Sequence, residues 1–100
     1  MRKIIGGRCY DTDTAKNLGS AGYSHPGDFS FWQETLYQKK TGEFFLHGVG
    51  GAMSKYAHRT GPDEWVGGEE IRPLTLEEAR KWAEENLDAD EYEQAFGVIE

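Results

Sequence analysis

The sequence predicts a single α+β domain over residues 1–100, in which a small antiparallel sheet of about three to four strands carries helices on one face. Two observations lead to this fold class. Strand-favouring residues and glycine-rich turns dominate the first three quarters of the chain, and two helix-capping motifs follow one another in the last quarter. Strands that precede helices in this order are typical of a sheet with helices on one side.

The N-terminal part is predicted to contain a strand, a short helix and a loop. The strand spans Arg2–Tyr10, with Gly6 and Gly7 marking a bulge or tight turn in its middle. The four residues 11–14 are candidate N-caps, which predicts a short N-terminal helix of at most two turns. Glycine, serine and proline are frequent in residues 19–28, which predicts a loop.

The strongest strand pattern is a hairpin. Aromatic and β-favouring residues fill Phe29–Gln38, and the same character resumes at Phe44–Leu46 after a polar turn. A third strand is predicted over Glu69–Leu74. The segment 52–68 shows little periodicity, and we expect Trp65 to anchor it to the core.

Two helices are predicted at the C-terminal end. Residues 75–78 and 88–91 both match the capping box, in which the N-cap residue and the third helical residue exchange side-chain-to-backbone hydrogen bonds. The first helix is predicted over 76–87 and the second over 89–96, where Gly97 ends it. Spacings of three and four give the first helix one apolar stripe, formed by Leu76, Ala79, Trp82, Ala83 and Leu87.

Acidic residues are concentrated in the last part of the chain. The sequence has 18 Asp and Glu against 11 Lys and Arg, a formal net charge of -7. All of the excess lies after residue 60, because the first 60 residues carry a slight positive balance. This distribution argues against a protein whose main function is to bind the phosphate backbone of nucleic acid. An acidic helical face suits a basic groove on a partner, although it also serves as a solubility device.

No motif predicts catalysis, a metal site or a bound cofactor. The borderline zinc ligands are Cys9, His25, His47 and His58, and no two of them have motif spacing, although the sequence leaves open whether they converge in space. The glycine-rich segment 48–55 lacks the Gly-Lys-Ser/Thr order of a phosphate-binding loop. The protein is therefore predicted not to be an enzyme.

The sequence also indicates a cytoplasmic protein without a membrane partner. One cysteine cannot form an internal disulfide. The longest apolar run is far shorter than the ~20 residues that a membrane span needs, and the N-terminus lacks the apolar region of a secretory signal.

Four segments, which together cover much of the chain, carry a resemblance to a known group of proteins. They are residues 10–16, 34–46, 50–57 and 73–84. In these segments the chain resembles small acidic proteins encoded by phages, plasmids and conjugative elements of gut bacteria, a family that includes anti-CRISPR proteins. The resemblance assigns no catalytic residues.

This resemblance implies an inhibitor that binds a host RNA-guided CRISPR nuclease, with a type II effector favoured, and blocks nucleic-acid loading or cleavage. An acidic helix pair is a suitable ligand for a channel lined by arginine and lysine, and such an inhibitor needs no direct contact with nucleic acid. The expected partner-binding carboxylates are Glu77, Glu84, Glu85, Asp90, Glu91 and Glu93.

Two alternatives remain open at this level. The aromatic hairpin could dock on a protein surface through Tyr37, Lys39 and Lys40 at its polar end. The acidic residues of the helices would then serve only to keep the protein soluble. The protein could also be a non-catalytic interaction or regulatory module of the mobile element itself. Such a module would have the same composition and the same lack of catalytic motifs.

Overall fold

The computed structural model describes residues 1–97, which form eight strands followed by two helices. The strands belong to three antiparallel sheets, and sheet is the dominant secondary structure. The elements are β1 Arg2–Ile5, β2 Arg8–Asp11, β3 Lys16–Tyr23, β4 Trp32–Gln38, β5 Phe44–Gly50, β6 His58–Gly61, β7 Glu64–Val66, β8 Gly68–Leu74, α1 Leu76–Asn86 and α2 Ala89–Phe96.

The largest sheet has four strands in the order β3-β4-β5-β8. The β4–β5 hairpin confirms the predicted one, with Leu36 paired to Leu46 and the chain turning over residues 39–43. The predicted third strand is confirmed as β8, which pairs with β5 along its whole length. Two-stranded sheets are formed by β1 with β2 and by β6 with β7.

The predicted fold class is wrong because residues 1–97 are mostly sheet and include no helix before Leu76. The residues taken as helix caps form a turn instead: the amide of Asp13 donates to Asp11 Oδ1 at 2.9 Å, and the amide of Ala15 donates to the Asp11 carbonyl at 3.1 Å. Aspartate and threonine favour such side-chain turns as much as helix caps. Strand β3 then begins at Lys16, where the helix was expected to continue.

Two segments predicted to lack regular structure contain strands. Most of β3 lies in the predicted loop 19–28, and the hairpin β6–β7 lies within 52–68. Trp65, expected to anchor that stretch to the core, lies on β7 with 55% of its surface exposed, so this expectation is also wrong. Small, polar strand residues such as those of β3 give little periodicity to detect.

Both C-terminal helices are confirmed. Thr75 Oγ1 accepts from the amide of Glu78 at 3.1 Å while Glu78 Oε1 accepts from the amide of Thr75 at 2.9 Å. The same reciprocal bonds join Asp88 and Glu91 at the start of α2. Helix α2 ends at Phe96 with Gly97 as its C-cap. Neither helix in residues 1–97 has the length and hydropathy needed to cross a bilayer.

The four-stranded sheet has a separate apolar cluster on each face. On one face, Leu36, Phe44 and Leu46 pack against Ala79, Trp82 and Ala83 of α1, and α2 adds Tyr92 and Phe96. On the other face, Tyr10 of the β1–β2 hairpin packs against Phe45 and Ile71. The sheet therefore lies between the N-terminal hairpin and the helices. The predicted apolar stripe of α1 is wrong at one residue, because Leu76 is 46% exposed and does not lie in the core.

Trp82 is the side chain that joins α1 to the sheet, and its removal should cost more stability than any exposed residue of that helix. We expect Trp82→Ala to lower the free energy of unfolding by about 3 to 5 kcal/mol, because a buried aromatic side chain leaves a cavity. The exposed neighbour Lys81→Ala should change it by less than about 0.5 kcal/mol. Urea unfolding of both variants measures this, and equal losses would contradict the placement of Trp82 in the core.

Candidate partner-binding surface

The outer side of the two helices, with the N-cap of α2, carries eight carboxylates and two cationic side chains. We call it the acidic helix surface. Its cationic residues are Arg80 and Lys81, and none of its carboxylates lies within 4.0 Å of a cationic group in the part of the chain that the structure describes. Its carboxylates belong to Glu77, Glu78, Glu84, Glu85, Asp88, Asp90, Glu91 and Glu93.

The six predicted partner-binding carboxylates all lie on this surface. Five of them are exposed, and Glu93 is half-buried. Glu91 also has a structural task, since its carboxylate accepts from the amide of Asp88 in the capping box. Glu78, which was not among the six, does the same at α1, and the hydrogen bonds from Thr75 lower its pKa. Glu77, Glu84, Glu85, Asp90 and Glu93 therefore carry the charge that is not committed to a helix cap.

A shallow groove runs between α1 and α2 on this surface. Its volume is about 410 Å³, and it is widely open to solvent. Its apolar floor is formed by Ala83, Leu87 and Tyr92. The groove is also lined by Glu84, Asp88, Ala89 and Glu93. The groove thus combines a hydrophobic base with negative charge, a combination that suits the aliphatic stem and charged end of arginine or lysine.

The hairpin residues Tyr37, Lys39 and Lys40 lie away from the acidic helix surface. Tyr37 is on the sheet face opposite the helices, where its ring stacks on Phe45 with centroids 5.2 Å apart and burial raises its pKa. Lys39 Nζ lies 3.3 Å from Glu43 Oε1 and 4.6 Å from the centroid of the Tyr10 ring. Lys40 is exposed. Of the two lysines, Lys39 is thus engaged within the fold.

A buried carboxylate that the sequence analysis did not single out lies under the helices. Glu34, in the middle of β4, is only 4% exposed. It accepts a hydrogen bond from Trp82 Nε1 at 3.0 Å and a short one from the Tyr56 hydroxyl, and Lys55 Nζ lies 3.1 Å from its Oε2. We call these four residues the Glu34 cluster. Lys55 also lies 4.2 Å from the centroid of the Trp32 ring.

The pKa values of the Glu34 cluster follow from these contacts. Burial raises the pKa of the Glu34 carboxyl, but the hydrogen bonds from Tyr56, Trp82 and Lys55 and the charge of Lys55 outweigh burial, so the pKa lies below its usual value. Burial and the bond to Glu34 both raise the pKa of Tyr56. The carboxylate is therefore held ionised and the phenol neutral.

A glycine makes room for the cluster. Gly48 is the cross-strand partner of Glu34, and the Tyr56 ring occupies the space where a side chain at position 48 would begin. The sequence shows a glutamate in the first predicted strand and a glycine after the end of the second, but it does not show that the two are paired. That pairing becomes visible once the register is known, which is why sequence reasoning missed the cluster.

The candidate metal ligands are dispersed. Cys9 Sγ accepts from Arg2 Nε, His47 Nε2 lies 2.7 Å from Glu69 Oε2, and His25 Nδ1 accepts from the amide of Gly27. Within residues 1–97, no three histidine, cysteine or acidic side chains come together in a way that could hold a metal ion.

Comparisons of the chain with protein-family models, with curated proteins and with solved structures found no match. The geometry and charge of the helical surface are therefore the main basis for assigning a function.

The Glu34 cluster should make stability depend on pH. A carboxyl whose pKa is lower in the folded than in the unfolded protein stabilises the fold at pH values above its usual pKa of 4.5. This contribution is lost as the pH falls through the folded-state pKa. We expect Glu34→Gln to be less stable than the wild type at pH 7, with the difference shrinking below pH 4.5.

Chemical unfolding of both proteins between pH 7 and pH 3 measures this difference. Asp28, Glu43 and Glu78 also have lowered pKa values, but they are present in both proteins and cancel in the comparison. A difference that stays constant across the range would contradict an ionised Glu34.

Proposed function

We propose that the protein is a non-enzymatic inhibitor that binds a host RNA-guided CRISPR nuclease, with a type II effector favoured, through the acidic helix surface. The observation that carries this proposal is a set of eight carboxylates, seven on α1 and α2 and one on the N-cap residue Asp88, that lie beyond 4.0 Å from every cation in residues 1–97. With eight carboxylates against two cationic side chains, this surface carries a net negative charge and is suited to a positively charged partner. The resemblance to mobile-element proteins supplies the class of partner.

The nucleic-acid channel of such a nuclease is a matching surface. It is positively charged because it holds a guide–target heteroduplex by its backbone, whatever the sequence. Carboxylates spread over two helices can occupy the same cationic side chains that phosphates would contact. Long-range attraction would also speed association, with a strong dependence on salt. Occupation of the channel would block nucleic-acid loading or cleavage.

The acidic helix surface is also rigidly held, which favours binding. Each helix begins at a complete capping box, and Trp82 joins α1 to the buried Glu34 carboxylate. Tyr92 and Phe96 of α2 pack on the same core cluster. Carboxylates on ordered backbone need no further backbone ordering on binding, so more of the electrostatic attraction contributes to affinity.

Reversal of four carboxylates tests the role of this surface. The variant Glu77→Lys, Glu84→Lys, Glu85→Lys and Asp90→Lys leaves both capping boxes intact. We expect at least a tenfold loss of nuclease inhibition and an association rate that responds much less to salt, although each exposed charge alone is worth only about 0 to 1 kcal/mol. Target cleavage by a purified type II nuclease and binding kinetics at two salt concentrations measure these effects.

A matched control separates local charge from net charge. Asp13→Lys, Asp63→Lys, Glu64→Lys and Glu70→Lys change the same number of exposed carboxylates outside the helices. This variant should inhibit nearly as well as the wild type. If the four-carboxylate helix variant folds and still inhibits fully, the acidic helix surface is not the binding site. The hairpin around Lys40 would then be the surface to test. Failure of the wild type against several nucleases would reject inhibition and favour a regulatory module of the mobile element.

A further inference from the structure

Strand β3 is an open edge of the central sheet. It is first in the order β3-β4-β5-β8, and within residues 1–97 no strand pairs with its outer side. It is also the longest strand, with eight residues, and it carries no charge from Asn17 to Tyr23. In an antiparallel sheet, alternate residues of an edge strand direct their backbone amide and carbonyl groups outward, where they can pair with another strand.

The other edge of the same sheet is protected. Strand β8 carries Glu69, Glu70 and Arg72, and Pro73 lacks an amide hydrogen. Charged residues and proline are the usual means of preventing unwanted pairing at an edge. Strand β3 also has one protective feature, a bulge between Asn17 and Gly19, where the Gly19 amide donates to Asn17 Oδ1 at 2.9 Å. Its regular part, residues 20–23, is the stretch of edge that lacks charge, proline and bulge.

The open edge lies beside the acidic helix surface. The Leu87 side chain, where α1 passes into α2, rests directly on Gly19 of β3, and a Cβ at Gly19 would meet its Cδ2. Both helices approach β3 on this face of the sheet. Leu87 also forms part of the floor of the groove bordered by Glu84, Asp88 and Glu93. A strand added to β3 would thus lie on the side of the sheet's edge nearest the groove that these carboxylates line.

We infer that the outer edge of β3 binds an extended segment of the partner protein, with arginine or lysine at alternate positions of that segment. Backbone hydrogen bonds to β3 would supply affinity. Because side chains alternate between the two faces of a strand, every second residue would point towards the acidic helices, where a positive charge is favoured. This inference rests on the proposed basic partner and adds how a segment of it binds.

A second copy of this chain fits the edge less well. Two copies paired antiparallel through β3 would be related by a two-fold axis perpendicular to the sheet, so both pairs of helices would lie on the same face. The two acidic helix surfaces would then lie near each other and repel. Charge complementarity favours a basic segment from another protein.

Synthetic peptides test the inference without the nuclease. The probe is an acetylated heptapeptide of alternating arginine and valine. The first control has the same sequence with all of its backbone nitrogens methylated, which keeps the charge but removes every amide donor, whichever set faces β3. The second control replaces arginine with glutamate. Amide chemical shifts and hydrogen exchange of the intact protein report where each peptide binds.

We expect the arginine peptide to bind at least tenfold more tightly than its methylated form and to slow exchange of β3 amides rather than β8 amides. The glutamate peptide should not bind. Glu84→Gln with Glu93→Gln should weaken binding several-fold, whereas the matched pair Glu77→Gln and Glu85→Gln, outside the groove, should leave it nearly unchanged.

Equal binding of the methylated peptide would mean attraction by charge alone and would overturn the edge site. Protection of β8 instead of β3, or formation of a β3-linked dimer by the wild type in sedimentation, would overturn it too. Absence of peptide binding together with sustained nuclease inhibition would reject the edge site and leave the proposed inhibitor function standing.

Discussion

The structure depends on one buried charge. The Glu34 carboxylate lies under the helices in the middle of the central sheet, where an unpaired ion would cost several kcal/mol. Its partners come from two other parts of the chain: Lys55 and Tyr56 from the segment between β5 and β6, and Trp82 from α1. Within residues 1–97 no buried side-chain oxygen or nitrogen lacks a partner. Docking of α1 and closure of the segment over Gly48 are therefore conditions for burying Glu34.

This requirement connects the interior to the surface. The bond from Trp82 sets the position of α1, and Leu87 at its end rests on Gly19 of β3. The carboxylates of α1 and α2 consequently stand at fixed positions relative to the sheet and its open edge. A partner with positive charge would meet a prearranged surface, so the same buried interaction that stabilises the fold supports the proposed binding.

The outcome of sequence reasoning depended on how local each interaction is. Both C-terminal helices were predicted because a capping box is complete within four residues. The β4–β5 hairpin was predicted because aromatic and β-favouring residues border a short polar turn. The N-terminal helix was wrong because Asp11 serves a side-chain turn as well as a cap. Trp65 was misplaced because a lone large residue does not reveal whether the core is within reach.

The sequence by itself determined the C-terminal helices, the central hairpin and the concentration of acid on the helices, since these follow from residues close together in the chain. Only the tertiary structure decided that Glu34 would be buried, because its partners Tyr56 and Trp82 lie 22 and 48 residues away and meet it through strand register and helix packing. The same holds for the open edge. Whether β3 has one neighbour or two depends on the strand order of the whole sheet, which no local pattern of hydrogen bonding or hydrophobicity encodes.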